Sequence, residues 1–216
     1  MTKRKIAVTT GTRAEYGLLR QILDEIKISK KLELLLIVTG SHFSKKHGMT
    51  VNEIKADGHK ITAKVDMIPK INSEFESTKI IGNAIISFSK IFKKLKPDMN
   101  LILGDRDEML ASAIAAYHMN IPNAHIHGGD KSGGLDEYTR HAITKLSNIH
   151  FAATKKSAKR ILQMGEKPEF IFHIGSPSID EILKNKITKK TELEKKYKIK
   201  ITGNEILLLQ HPVTTE

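Results

Sequence analysis

Apolar residues along the chain follow two alternating rhythms. Residues 5–10 are a short β-branched run ending at Gly11-Thr12-Arg13, and residues 16–28 then carry apolar side chains at 18, 19, 22, 23 and 26, the spacing of one helix face. Residues 32–39 are almost wholly apolar, which predicts a strand buried on both faces of a parallel sheet. A helix is expected over 51–57, stopped by Gly58, and a third strand over 61–67. The longest helical pattern is 73–95, with Ile80, Ile81, Ala84, Ile85, Phe88, Ile91, Phe92 and Leu95 at intervals of three and four and Pro97 closing it. That stripe is either core or a subunit contact. Further strands are expected at 100–103, 123–127, 150–153 and 170–174, with helices at 109–118, from 136 onward, at 157–164 and at 179–183. Strands alternating with helices predict an α/β fold, a parallel sheet flanked by helices on both sides. Its ligand should lie past the carboxyl ends of the strands, at a switch point in strand order.

The pattern changes near the end. Residues 205–209 read as a buried strand leading into Gln210-His211-Pro212-Val213-Thr214, yet no later segment offers it a neighbour. The expectation is a first domain over 1–184. Residues 185–216 are expected to hold a linker helix and the opening strand of a second domain cut short by truncation.

Composition narrows the class only slightly. Lys and Arg number 36 against 24 Asp and Glu, a formal charge of +12, which invites nucleic-acid binding. The excess is mostly lysine gathered late in the chain, interleaved with Glu192 and Glu194 and without an aromatic rhythm for stacking bases, so a solvated face is the expectation and no nucleic-acid partner is. No apolar run approaches the roughly 20 residues of a membrane span. With no cysteines there is no disulfide framework, and a cytoplasmic protein is expected.

The chemically capable residues crowd one stretch, 125–146. His125 and His127 alternate on a strand and should share one face, while Gly128, Gly129, Gly133 and Gly134 allow close approach to the backbone. Asp136 and Arg140 stand four apart on a helix, so the arginine can hold that carboxylate or an anion beside it. Asp136 could alternatively only cap the helix. Arg13, His42, Asp105, Arg106, His127 and Asp130 each stand just past a strand's last apolar residue, where the fold would gather them along one edge. A rival reading takes His125, His127 and Asp130 as a metallohydrolase cradle. Another is a basic fragment that binds a nucleotide or nucleic acid without turnover.

Six motifs in order carry a resemblance: Gly11-Thr12-Arg13-Ala14-Glu15-Tyr16, Thr39-Gly40-Ser41-His42, Leu103-Gly104-Asp105-Arg106, the stretch 125–146, Gly175-Ser176-Pro177-Ser178 and Gln210-His211-Pro212-Val213-Thr214. Together they resemble the hydrolysing UDP-N-acetylglucosamine 2-epimerases, including sialic-acid pathway enzymes. The resemblance implies a glycosyltransferase-B-like pair of Rossmann-like domains, of which this chain holds the first, with activity only in the full-length protein. It implies release of UDP from UDP-N-acetylglucosamine by elimination, then hydration to N-acetylmannosamine, with no cofactor. Asp105 matches the family's catalytic carboxylate, Asp136 a second acid/base, and His211 a group acting on the leaving phosphate. His127 stands where several members carry Glu, and an imidazole can perform either half of a proton transfer. Arg13, His42, Arg106, His125, Asp130, Ser132 and Arg140 are expected to contact the substrate. Enzymes acting on UDP-diacetamido-trideoxy sugars share these motifs. A homo-oligomer, dimer or tetramer, is also expected.

Overall fold

The computed structural model describes residues 2–68, 73–184 and 187–210. Its apolar runs pair as one parallel sheet of β1 (Arg4–Thr10), β2 (Leu32–Val38), β3 (Ile61–Lys64), β4 (Met99–Leu103), β5 (Asn123–Ile126), β6 (Ile149–Ala152) and β7 (Ile171–His173). Their order is β3-β2-β1-β4-β5-β6-β7. The chain winds outward from β1 in one direction and from β4 in the other, so the switch point lies between them.

Alternation along the strands sorts the core into layers. Ile6 and Val8 pack with Tyr16, Leu19 and Leu23 of α1 (Arg13–Ile28) and with Val51 and Ile54 of α2 (Val51–Ala56). Ala7 points the other way, joining Leu35 and Ile37 against Phe88 and Phe92 of α3 (Glu74–Leu95) and Ala111 and Ala115 of α4 (Asp107–His118). The α3 stripe is therefore core, although Ile86 on its outer side stays exposed. Helices α5 (Gly134–Lys145), α6 (Lys155–Gln163) and α7 (Pro177–Lys184) follow β5, β6 and β7 in turn. Two asparagines inside the sheet are paired: the Asn100 amide donates to Asn123 Oδ1 at 2.9 Å and to Ser112 Oγ at 3.0 Å, and the Asn123 amide donates to two main-chain carbonyls.

Two compact units are present, Met1–Glu181 and Ile182–Glu216. The second holds α8 (Lys190–Tyr197), whose exposed lysines form a solvated surface. The strand expected at 205–209 does not form. Ile206 and Leu207 are 93% and 94% exposed, because among the described residues no strand edge lies alongside to take up the backbone hydrogen bonds. Among the described residues, no helix is long and apolar enough to cross a membrane.

Candidate active site

At the switch point the first turns of α1 and α4 stand side by side. Thr12 caps α1 in a capping box: its hydroxyl accepts from Glu15 N, and Glu15 Oε2 accepts from Thr12 N at 3.2 Å and Gly11 N at 2.8 Å. This lengthens the helix toward the glycine turn and sets Arg13 at its mouth. A cavity of about 960 Å³ opens there, lined among others by Arg13, Gly40, Ser41, Lys46, His47, Arg106 and Glu108. Two expected arginines thus share one pocket beside two helix N-termini, a setting suited to an anion.

Under this pocket lie two carboxylates outside the expected site residues, Glu15 and Glu108. Arg106 Nε is 3.4 Å from Glu15 Oε1 and 3.3 Å from Glu108 Oε2, and both glutamates are buried. Burial, reinforced by Glu108, pushes Glu15 up to about 7, against hydrogen bonds from Gly11 and Thr12 and the charge of Arg106. Glu15 had a legible signal, since Thr12-x-x-Glu15 is the capping-box pattern. Glu108 had none.

A second group of residues assembles past β4 and β5. The guanidinium of Arg140 pairs with Asp105 through Nη2, while Nη1 donates to the Asp130 carbonyl at 3.0 Å and Ser132 Oγ at 2.9 Å. One arginine therefore ties the β4 tip to the loop after β5. The loop is anchored from α6, where the Ser157 hydroxyl donates to the Asp130 carboxylate and Arg160 donates to the Gly129 carbonyl. His127 is half buried, and its Nε2 lies 3.3 Å from Ser176 Oγ in the loop before α7. Burial lowers its pKa, with Asp130 opposing.

Four expectations need correction. His125 does not share a face with His127: β5 ends at Ile126, and His127 takes a left-handed φ of 64°, which breaks the alternation. His125 is fully buried, donating from Nε2 to the Gly104 carbonyl at 2.7 Å with Nδ1 3.2 Å from Thr144 Oγ1, so it braces the Asp105 loop instead of meeting substrate. With both its nitrogens engaged, the His125/His127/Asp130 metal cradle does not form, and no group of three potential ligands occurs among the described residues. His42 is also fully buried, held between the hydroxyls of Thr10 and Thr50 at 3.0 and 2.8 Å, and does not line the pocket. Asp136 is neither the partner of Arg140 nor the cap of α5. It is exposed, and its charge adds slightly to the rise that burial gives Asp107, while Glu137 accepts from Ser132 N and Gly133 N at 2.9 and 2.7 Å. His211 lies outside the described residues.

The buried imidazoles carry a consequence for stability. Burial pushes His42 and His125 each down to about 4, whereas an unfolded chain protonates them near 6.5. Their contribution is full at neutral pH and is lost as pH falls from about 6.5 to about 4. Glu15 acts oppositely, since its raised pKa makes folding more favourable as pH falls from about 7 toward 4.5. Burial also lowers His59, His127 and His150 and raises Asp107, so the lowered imidazoles outnumber the raised carboxyls and leave a net loss on the order of 3 kcal/mol by pH 4. Urea unfolding at pH 7 and pH 4 should show this fall, and equal or greater stability at pH 4 would contradict neutral buried imidazoles.

A family model described as UDP-N-acetylglucosamine 2-epimerase matches residues 24–216. The chain is 45% identical over 214 residues to a Legionella pneumophila UDP-N,N'-diacetylbacillosamine 2-epimerase (hydrolyzing), covering 99% of this chain and 56% of that one. It is 37% identical to a Neisseria meningitidis UDP-N-acetylglucosamine 2-epimerase, covering 99% and 55%. The solved structure of the Staphylococcus aureus MnaA–UDP complex superposes with a TM-score of 0.75 at 25% identity, covering 90% of this chain and 51% of that one. A Neisseria meningitidis 2-epimerase bound to UDP-N-acetylglucosamine shares the fold at a TM-score of 0.74 and 24% identity, covering 83% and 48%. The chain spans about half the length of the curated relatives it matches. Seven parallel strands with a switch at β1/β4, polar motifs gathered past their carboxyl ends and a family match over most of the sequence lead to one conclusion: this chain belongs to the UDP-N-acetylglucosamine 2-epimerase family.

Proposed function

We propose that the complete protein is a hydrolysing 2-epimerase of a UDP-linked 2-acetamido sugar, releasing UDP and the free 2-epimeric sugar without a cofactor. The observation that carries this reading is the Asp105–Arg140 ion pair at the carboxyl edge of the sheet, joined by Arg140 to the loop that follows His127. In the first step a base takes the proton from C2 as the C1–O bond breaks, and the bonding pair leaves with UDP to give a C1=C2 alkene. Water then adds at C1 and a proton returns to C2 from the other face. This chemistry needs two proton-handling groups on opposite faces and a cationic seat for the diphosphate.

Asp105 and His127 are assigned to the C2 proton, with exposed Asp136 as a further acid/base on the same edge. Burial lowers the His127 pKa and so favours the neutral ring, which can accept a proton. Arg13 and Arg106 are assigned to the diphosphate, since both line the pocket and a guanidinium fork suits phosphate oxygens. The proposal keeps His211 at the leaving group, on the family resemblance alone. It also keeps a homo-oligomer and the division near residue 184 into a catalytic first domain and the start of a nucleotide-binding second.

Two sugars compete. UDP-N-acetylglucosamine fits the family description, and UDP-N,N'-diacetylbacillosamine is favoured by relatives at 45% and 39% identity that carry that name. Assay of the complete protein with both, following UDP release and deuterium uptake at C2 in D2O, separates them. The sugar with the higher kcat/KM is the substrate. Release of UDP from neither would sink the proposal, and turnover without deuterium at C2 would sink its mechanism.

A further inference from the structure

We propose that Glu15 and Glu108 act as a coupled carboxylate pair beneath the pocket, positioning Arg106 and weakening the site's hold on a diphosphate when the pair becomes fully ionised. The proposal rests on the UDP-sugar reading and adds a pH control to it. Both carboxylates reach one atom: Arg106 Nε stands within 3.4 Å of an oxygen from each. Glu15 Oε1 is buried and has no hydrogen-bond partner, although its other oxygen takes two backbone donors. A buried carboxylate oxygen that lies near a guanidinium yet accepts no hydrogen bond, beside a second carboxylate, is a natural seat for one proton.

The backbone is shaped around the pair. A Cβ at Gly11 would sit 2.8 Å from the Glu108 carboxyl carbon, and one at Gly40 would collide with Glu108 Oε1 and approach the Gly11 carbonyl oxygen to 2.8 Å. Gly11 and Gly40 thus close over Glu108, and Gly40 takes a φ of 59° to do so. Glu108 lines the pocket with Arg13, Lys46, His47 and Arg106, so its charge is felt by an occupant. The other charged neighbour on α4 is Asp107, raised by burial and then by Glu108. Behind the pocket, buried His42 is neutral at neutral pH.

With one proton on the pair, a single negative charge faces the guanidinium of Arg106. When that proton leaves, two carboxylates hold the same arginine and the floor of the pocket gains a net negative charge. The rise of Glu15 to about 7, caused chiefly by burial, puts this change within the working range of most cells. One added charge several ångströms from a bound diphosphate in a partly solvated site weakens binding by roughly five- to tenfold.

The test uses the complete protein carrying Asp105→Asn to prevent turnover, with UDP-N-acetylglucosamine as the probe because its phosphates do not titrate between pH 6 and 8.5. Calorimetry should give a Kd roughly five- to tenfold weaker at pH 8.5 than at pH 6. Glu15→Gln, which keeps shape and removes the buried carboxyl, should flatten the dependence, whereas Glu108→Gln should move its midpoint to lower pH because burial of Glu15 remains. His47→Asn should leave the dependence in place, which separates the pair from the imidazole on the rim. A Kd that does not change with pH, or a change that survives Glu15→Gln, overturns the inference while leaving the substrate reading intact. Absence of binding at both pH values, with UDP-N,N'-diacetylbacillosamine as well as with UDP-N-acetylglucosamine, overturns the substrate reading and this inference with it.

Discussion

Asp105→Asn in the complete protein is expected to lower kcat by roughly 10²- to 10⁴-fold, the range for losing a positioned acid/base. The amide keeps the shape of the carboxylate, so Arg140 can still donate to its oxygen and bridge to the Asp130 carbonyl and Ser132. What disappears is the capacity to take or return the C2 proton. KM should change far less than kcat, and exchange of the C2 hydrogen with D2O should fall in parallel with turnover. A merely structural Asp105 would instead show a lowered melting point with kcat nearly retained. Either retained turnover or retained exchange would remove Asp105 from the mechanism.

Gly129→Ala is expected to destabilise the fold by roughly 3 kcal/mol or more, combining a left-handed backbone with overpacking. Gly129 has a φ of 74°, and a Cβ there would lie 2.5 Å from the Ser157 carbonyl oxygen and 2.6 Å from Ile161 Cγ1. Neither obstacle is the loose end of a flexible side chain. Relief requires the loop to lift from α6, which would disturb the Arg160 bond to the Gly129 carbonyl and the Ser157 bond to Asp130. Gly48→Ala is the control, because Gly48 has a φ of 81° but open space around it, and should cost only about 1 kcal/mol. Urea midpoints of the two variants check the difference. Equal effects would mean that the loop is not packed on α6 as described.

The layers of the fold could be read from periodicity because they depend on it directly. Ile6 and Val8 against Ala7 is a two-residue alternation, and Ala84, Phe88 and Phe92 is a helical one, each written in neighbouring residues. The chemistry past the strand ends was legible to the same extent: Arg13 and Arg106 do share a pocket, and Asp105, Asp130, Ser132 and Arg140 do meet. Pairing was the part that misled. Arg140 was read with Asp136, four residues away on its own helix, but it reaches across to Asp105, 35 residues earlier. Glu137 does the capping work that Asp136 was positioned by sequence to do.

The amino-acid order by itself determined the succession of strands and helices, the parallel sheet and the set of polar residues delivered to its carboxyl edge, since each follows from local spacing and from where apolar runs stop. Only the tertiary structure decided which of those residues are buried braces and which face the pocket. His42 and His125 were drawn inward by hydroxyls and a carbonyl from other segments, and the left-handed turn at His127 sent that ring elsewhere. Glu15 and Glu108 come together from separate helices because β1 and β4 are neighbours in the sheet. Contacts of that kind depend on packing between distant segments, and no window along the chain contains both partners.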